Sequence, residues 1–391
     1  MFKKAPLLAL FFVMALGGAT VYNLIKSRED TTISFYLPKS EHITLEYNLP
    51  KKEEIKTVLL KEDTDLESSS ETDKVPSLQH KFPTVSVSEP LSGTDIQLEN
   101  SVTEKKEDEV DFQKLNLAVR QSIVNIICTT KFGGYFAPTS GSGTVVSPNG
   151  VILTAAHLAQ YFLLKDYPVE NFIECVVRTG SPASPAYTAR LLYLPPDWIE
   201  NNATNLTEEN LLSTGENDFA FLLITGRAIK DKTVPEPLPF LPYTEISTEV
   251  PGDSVLISGY PAGFLDGIAI QKDLYLTSSF GQIDNLYSFT EGSVDVISIF
   301  GNIISQKGVS GGAVVNLKGE LSGVLVTATE NPQTSERYLN AITLPYINRA
   351  LEEQDLSIGK ILSSPESVAD NFNREIAPSL KKILVDSIEK R

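Results

Sequence analysis

The stretch Gly141-Ser142-Gly143-Thr144-Val145-Val146-Ser147-Pro148-Asn149-Gly150-Val151-Ile152-Leu153-Thr154-Ala155-Ala156-His157 decides how the folded part of this chain is read. Two β-branched runs flank Pro-Asn-Gly. Proline presets φ, while asparagine and glycine tolerate left-handed backbone, so the segment reads as two strands joined by a tight turn. A histidine follows the hairpin directly. Further on, Asn217-Asp218-Phe219-Ala220-Phe221-Leu222-Leu223 puts an aspartate at the opening of an apolar strand, and Gly308-Val309-Ser310-Gly311-Gly312 sets a serine among glycines. Glycine permits the positive φ of a tight turn. Such a turn can aim successive N–H groups at one point, where a substrate carbonyl becomes an oxyanion. Each block alone has an ordinary reading, because Gly/Ser turns and strand-opening aspartates are common. Together they supply base, acid and nucleophile in the order His, Asp, Ser.

Working outward, short strands are expected at 122–128, 173–178, 189–193 and 219–224. Beyond a connector with Pro235, Pro237, Pro239 and Pro242 they resume at 254–259, 295–299, 313–316, 321–327 and 338–343. Regularly spaced short strands with Gly and Pro turns indicate an all-β barrel or sandwich, and the connector suggests two of them. A short helix lined by Phe112, Leu115, Leu117, Ala118 and Ile123 should open the folded region, at the start of the first strand. Another should run from 345 to about 354.

Upstream, the leader 1–4 carries Lys3 and Lys4, and residues 5–25 hold no charge. About 20 apolar residues suffice to cross a bilayer as a helix, and the basic leader would stay in the cytoplasm. A transmembrane anchor is the preferred reading. A cleaved signal peptide with its apolar core at 7–16 is the alternative. Either way the bulk of the protein leaves the cytoplasm. Residues 26–110, rich in Ser, Thr, Glu, Asp, Lys and Pro from residue 61 on, read as an acidic flexible stalk. The 391-residue chain has a formal charge of −17. With no basic stripe, nucleic acid is excluded as a partner.

Residues 111–354 resemble the trypsin-like serine proteases of the chymotrypsin fold, and within them the high-temperature-requirement (Deg-type) bacterial proteases. The likeness is carried by GSGTVVSPNGVILTAAHL, NDFAFLLI and GVSGGAVVNLKGELSGVLV, with GDSVLISGYPAG at 252–263 in support. The resemblance implies two six-stranded β-barrels, at about 111–232 and 245–345, followed by a C-terminal helix. It makes His157 the general base, Asp218 its orienting carboxylate and Ser310 the nucleophile, with the backbone N–H groups of Gly308 and Ser310 as the oxyanion hole. A serine hydroxyl needs an imidazole to take its proton, and the imidazole needs a carboxylate to fix its tautomer. Of the three histidines, His42 and His80 precede the folded region, which leaves His157.

By the same resemblance, the substrate pocket has its floor near Ile304 and Ser305. Its walls come from Val326, Thr327 and Ala328 and from Arg337 and its neighbours to residue 340. No aspartate falls at the floor, so an apolar or small residue is the expected preference. Arg337 is read as solvated, or as favouring an acidic residue if it points inward. Cys128 and Cys175 would lie on neighbouring strands, where a bridge is possible in an oxidising compartment. Two buried free thiols are the simpler reading. With so few Cys and His, neither a metal nor a cofactor is expected.

The sequence departs from the family at Val309, where trypsin-type enzymes carry aspartate and Deg-type enzymes usually asparagine. Valine cannot pair with a freshly cut N-terminus. Residues 355–391 form a helical tail, with Ile361, Val368, Phe372, Ile376, Leu380 and Leu384 at roughly helical spacing, and are too short for the family's peptide-binding module. The function so read is a serine endopeptidase that hydrolyses extracytoplasmic polypeptides through an acyl-enzyme. The alternative is a catalytically impaired, protease-like peptide-binding module. Nothing in the sequence specifies the oligomeric state.

Overall fold

A computed structural model describes residues 110–131, 138–207, 214–229, 233–328, 333 and 336–390. The chain separates into units 1–98 and 99–391, and all of the described residues belong to the second. The expected leader, the 5–25 anchor and nearly all of the 26–110 stalk lie outside the described residues. Among the described residues no helix is long and apolar enough to cross a membrane.

Helix α1 (Phe112–Gln121) is capped by Asp111, whose carboxylate accepts from the Lys114 N–H at 2.9 Å. Of the residues expected to line this helix, Phe112 and Leu117 are exposed and Ile123 already belongs to the next strand; the buried residue of the helix is Val119, which was not among them. The first barrel follows: β1 (Ile123–Thr130), β2 (Thr139–Val145), β3 (Val151–Thr154), then α2 (Ala156–Ala159), β4 (Ile173–Thr179), β5 (Ser184–Tyr193), α3 (Pro196–Asn202) and β6 (Ala220–Arg227). The second contains β7 (Ser254–Gly259), α4 (Gly267–Lys272), β8 (Thr277–Tyr287), β9 (Val296–Ile299), β10 (Ala313–Val315), β11 (Leu321–Ala328) and β12 (Leu339–Thr343). Then come α5 (Leu344–Glu352), α6 (Ile358–Ser363), α7 (Pro365–Asn371) and α8 (Ala377–Glu389).

Each set of strands closes on itself. The orders are β1-β2-β3-β6-β5-β4 and β7-β8-β9-β12-β11-β10, the same topology used twice. Closure removes free sheet edges, and it explains why β3 can be buried along its whole length. The two six-stranded antiparallel barrels and the C-terminal helix agree with the expected architecture. The Pro-Asn-Gly turn forms as its residue types require: Gly150 takes φ +83 and its N–H donates to Ser147 O at 3.0 Å.

Strand β8 was not foreseen. Its sequence TSSFGQIDNLY lacks a clean apolar alternation because only Ile283 is buried, and pairing with β7 and β9 holds the rest. The two cysteines are also a correction. Register places Cys128 directly opposite Cys175 on β1 and β4, and the sulfurs are bonded at 2.02 Å, so the free-thiol reading does not hold. The tail helices lie on the first barrel. Ile361, Phe372, Leu380 and Leu384 are buried, Phe372 packs edge-on to Tyr193 at 5.6 Å, and Asn373 Nδ2 donates to Leu191 O at 2.7 Å.

Candidate active site

His157 sits on α2, one turn beyond the end of β3. Asp218 lies two residues before β6, and the register Thr154↔Ala220 brings the two strand ends side by side. One Asp218 oxygen accepts the His157 backbone N–H at 2.9 Å, and the other lies 2.8 Å from His157 Nδ1. The carboxylate is 1% exposed and the imidazole 36%, so the acid is sealed while the ring keeps a solvent-facing side. With Nδ1 against a carboxylate, the proton resides there and Nε2 is left as an acceptor. Burial pushes the imidazole pKa down. The charge of Asp218 and its hydrogen bond outweigh that effect and hold the pKa above the ordinary histidine value.

The serine loop comes from the second barrel, between Ile304 and β10. Gly308 (φ +96) and Gly311 (φ +84) occupy the left-handed region. A Cβ on Gly308 would fall 2.7 Å from Tyr260 O, and one on Gly311 would fall 2.0 Å from Ser142 O, so only glycine fits either place. Val309 is 3% exposed and packs into the second-barrel core with Ile304 and Val314. Where an ion pair is ruled out by sequence, an apolar anchor holds the loop.

Two carbonyls of this loop are committed on the side away from the cleft. Lys307 O accepts from the Ala262 N–H at 2.7 Å, and Val309 O accepts from the Gly312 N–H at 2.8 Å. A trans peptide is planar, so its N–H points away from its carbonyl. The Gly308 and Ser310 N–H groups, opposite those two carbonyls, meet no acceptor among the described residues. Ser142, wholly buried on β2, clamps the loop from the first barrel. Its hydroxyl donates to Gly308 O at 2.8 Å and accepts from the Tyr260 N–H at 2.9 Å, while its own N–H donates to Ser310 O at 2.8 Å. Sequence reasoning treated Ser142 only as part of a strand. Its position in a Gly-Ser-Gly triplet, where close backbone approach is possible, was the available signal.

The structure joins His157 to Asp218 directly. Ser310 it brings to the same inter-barrel seam: an ideal Cβ on Gly141 would lie 2.5 Å from Leu158 Cδ2 and 3.3 Å from Ser310 O. The Ser310 hydroxyl is half-buried and donates to Val326 O at 3.4 Å, and among the described residues no hydrogen bond links it to His157. Ile304 and Ser305 are fully buried and Val326 nearly so. Thr327 and Ala328 continue the backbone of β11. Arg337 is half-buried. Its Nη1 donates to Ser305 O at 3.4 Å, and its guanidinium lies 5.8 Å from the Phe264 ring centre, so it is not a freely solvated cation.

Residues 141–324 match the family model described as a trypsin-like peptidase domain. Among solved structures, the chain is similar to Deg5, at 18% identity over 61% of this chain and 90% of that one, with a TM-score of 0.40. It is also similar to the inactive form of the protease Rv3671c, at 19% identity over 61% of this chain and 92% of that one, with a TM-score of 0.38. A serine-to-alanine mutant of Rv3671c from M. tuberculosis H37Rv, also in an inactive form, gives 18%, 61%, 89% and 0.37. Comparison with curated proteins finds none that matches. Over residues 141–324, which carry the histidine, aspartate and serine blocks, the chain is similar to the trypsin-like peptidase domain family.

Proposed function

We propose that the protein is a serine endopeptidase that cleaves polypeptides outside the cytoplasm through an acyl-enzyme. The single observation that carries the reading is the sealed Asp218–His157 pair beside a glycine-built serine loop whose Gly308 and Ser310 N–H groups have no internal acceptor. In this reading, rotation of one Ser310 torsion turns the hydroxyl from Val326 O toward His157 Nε2. Catalytic hydrogen bonds are often loose in a free enzyme. Nε2 takes the proton as Oγ attacks the scissile carbonyl. The imidazolium is stabilised by Asp218, and the oxyanion by the two N–H groups, each worth about 3 kcal/mol. His157 then protonates the leaving amine, and water enters to hydrolyse the ester by the same steps in reverse.

The extracytoplasmic setting is supported by the uncharged run 5–25 behind a basic leader, and by the Cys128–Cys175 bridge, since disulfides persist in oxidising compartments. We assign 5–25 as the membrane anchor, 26–110 as a stalk and 355–391 as a tail. The pocket of Ile304, Ser305, Val326, Thr327, Ala328 and Arg337 belongs to the same proposal.

A second reading, a peptide-binding module impaired in catalysis, draws on the Ser310 hydroxyl facing Val326 O. Fluorophosphonate labelling of the full chain and of Ser310→Ala separates the two. The enzyme reading requires labelling of the wild type alone. A wild type that stays unlabelled at every pH from 6 to 9 would leave only the binding module.

A further inference from the structure

Resting on that reading, we propose that Tyr346, on α5 after the second barrel, is a positioning residue for Asp218: its hydroxyl fixes the turn that presents the carboxylate to His157. Asn217, immediately before Asp218, has φ +56. Only glycine and, at some cost, asparagine or aspartate adopt that region routinely. Two hydrogen bonds to one atom hold it there. The Asn217 N–H donates to Tyr346 Oη at 2.9 Å, and the hydroxyl donates back to Asn217 Oδ1 at 3.1 Å. The strand beyond Asp218 is set by β6 pairing with β3, within the first barrel. The turn before it is therefore braced from the second barrel. Gly215 adds a contact of the same kind: a Cβ there would lie 3.0 Å from Val326 Cγ2, and its carbonyl accepts the Asp218 N–H at 3.1 Å.

Tyr346 is itself immobilised. The side chain is 6% exposed, its ring centre is 5.0 Å from that of Phe289, and the Arg349 guanidinium lies 5.5 Å above it. Arg349 Nη2 is paired at 2.6 Å with Asp295, which is fully buried and also accepts the Phe289 N–H at 2.7 Å. The charged groups facing the phenol are Glu216, Asp295 and Arg349. Burial first, and the two carboxylates after it, raise its pKa, so it remains a donor at any working pH. A rigid donor–acceptor on one barrel thus sets the backbone that aims a carboxylate on the other. An orienting carboxylate matters through direction more than distance, and small misplacements of reacting groups cost up to about 100-fold in rate.

Tyr346→Phe keeps the ring and removes the hydroxyl. In the full chain, the His157 imidazole is titrated by NMR, its resonance assigned with His157→Gln, and the fluorophosphonate labelling rate is measured alongside urea unfolding. The expected result is a His157 titration shifted down toward the ordinary value and labelling slowed by about 10- to 100-fold. A lowered unfolding midpoint with both the titration and the labelling rate at wild-type values would overturn the proposal, since the hydroxyl would then be merely structural. If Tyr346→Phe does not fold, Asn217→Gly decides. It keeps the left-handed turn and the N–H but loses the side-chain acceptor, and must shift both readouts in the same direction. A wild type that never labels, combined with a shifted titration, would sink the enzyme reading and leave the positioning role standing.

Discussion

Replacing Ser142 by alanine should weaken both the fold and the serine loop. The hydroxyl is wholly buried and serves two backbone groups, the Tyr260 N–H and the Gly308 carbonyl. Alanine fills almost the same space, so no cavity of consequence opens. What changes is that two interior polar groups lose their partner, at about 1–3 kcal/mol each. Gly308 is half-buried and can recover part of its loss from solvent, so the sum is about 2–4 kcal/mol. That is a visible share of the 5–15 kcal/mol typical of a folded domain, and the protein stays folded. The loop remains tied at Ser310, because the residue-142 N–H still donates to Ser310 O and its carbonyl still accepts from Thr154 Oγ1 at 2.7 Å. It is released at Gly308, whose N–H is one of the two proposed oxyanion donors. Full loss of such a donor costs about 100- to 1,000-fold, and a loosened one should cost about tenfold. The protein's single tryptophan, Trp198, is buried beside the first barrel and reports urea unfolding without a label. The second-order rate of fluorophosphonate labelling reports the loop. A Ser142→Ala protein with an unmoved unfolding midpoint and a wild-type labelling rate would show that Ser142 does not hold the loop.

Three other outcomes are expected. Labelling requires neutral His157, so its rate should rise with pH through an apparent pKa above the ordinary 6.5, and Asp218→Asn should move that limb down. For stability the sign is the opposite: the protonated, Asp218-paired imidazole favours folding fully at low pH, and that contribution is lost as pH climbs through the raised value, as titrated urea unfolding would show. Val309→Asp places a carboxylate without a cationic partner in the second-barrel core and should cost about 3 kcal/mol or more, whereas Val309→Ala should be tolerated; thermal melting of the pair distinguishes packing from charge. Replacing Cys128 and Cys175 by alanine opens a loop of sequence separation 47, and urea unfolding should register a loss of about 2–4 kcal/mol.

The residues that announced themselves in the sequence are those whose chemistry and backbone demands coincide. Pro148-Asn149-Gly150 could only be a turn, and the apolar runs of β3, β6 and β7 could only be buried strands. His157, Asp218 and Ser310 stood out because each sits at the end of such a strand or in a glycine turn. What stayed hidden depends on register and on partners distant in sequence. The half-exposed β8 shows no period because its stability lies in its neighbours. The cysteine bridge follows from a pairing register that no local pattern encodes. Ser142 and Tyr346 looked like ordinary strand and helix residues, since their hydroxyls act on backbone groups 166 and 129 positions away. Val309, a departure from the expected loop chemistry, turns out to be satisfied by its burial.

If the chain is the endopeptidase proposed, the tail that folds back over the first barrel has a consequence for it in its own company. Its apolar side chains, Leu380 and Leu384 among them, are sealed against the barrel, and Arg190 is clasped by Glu366 and Asp370. A peptide bond must be drawn out straight before a neighbouring copy can cut it. On the proposed endopeptidase activity, self-digestion at this end would wait on the helices lifting away, and the lifetime of a concentrated preparation would follow how often they peel.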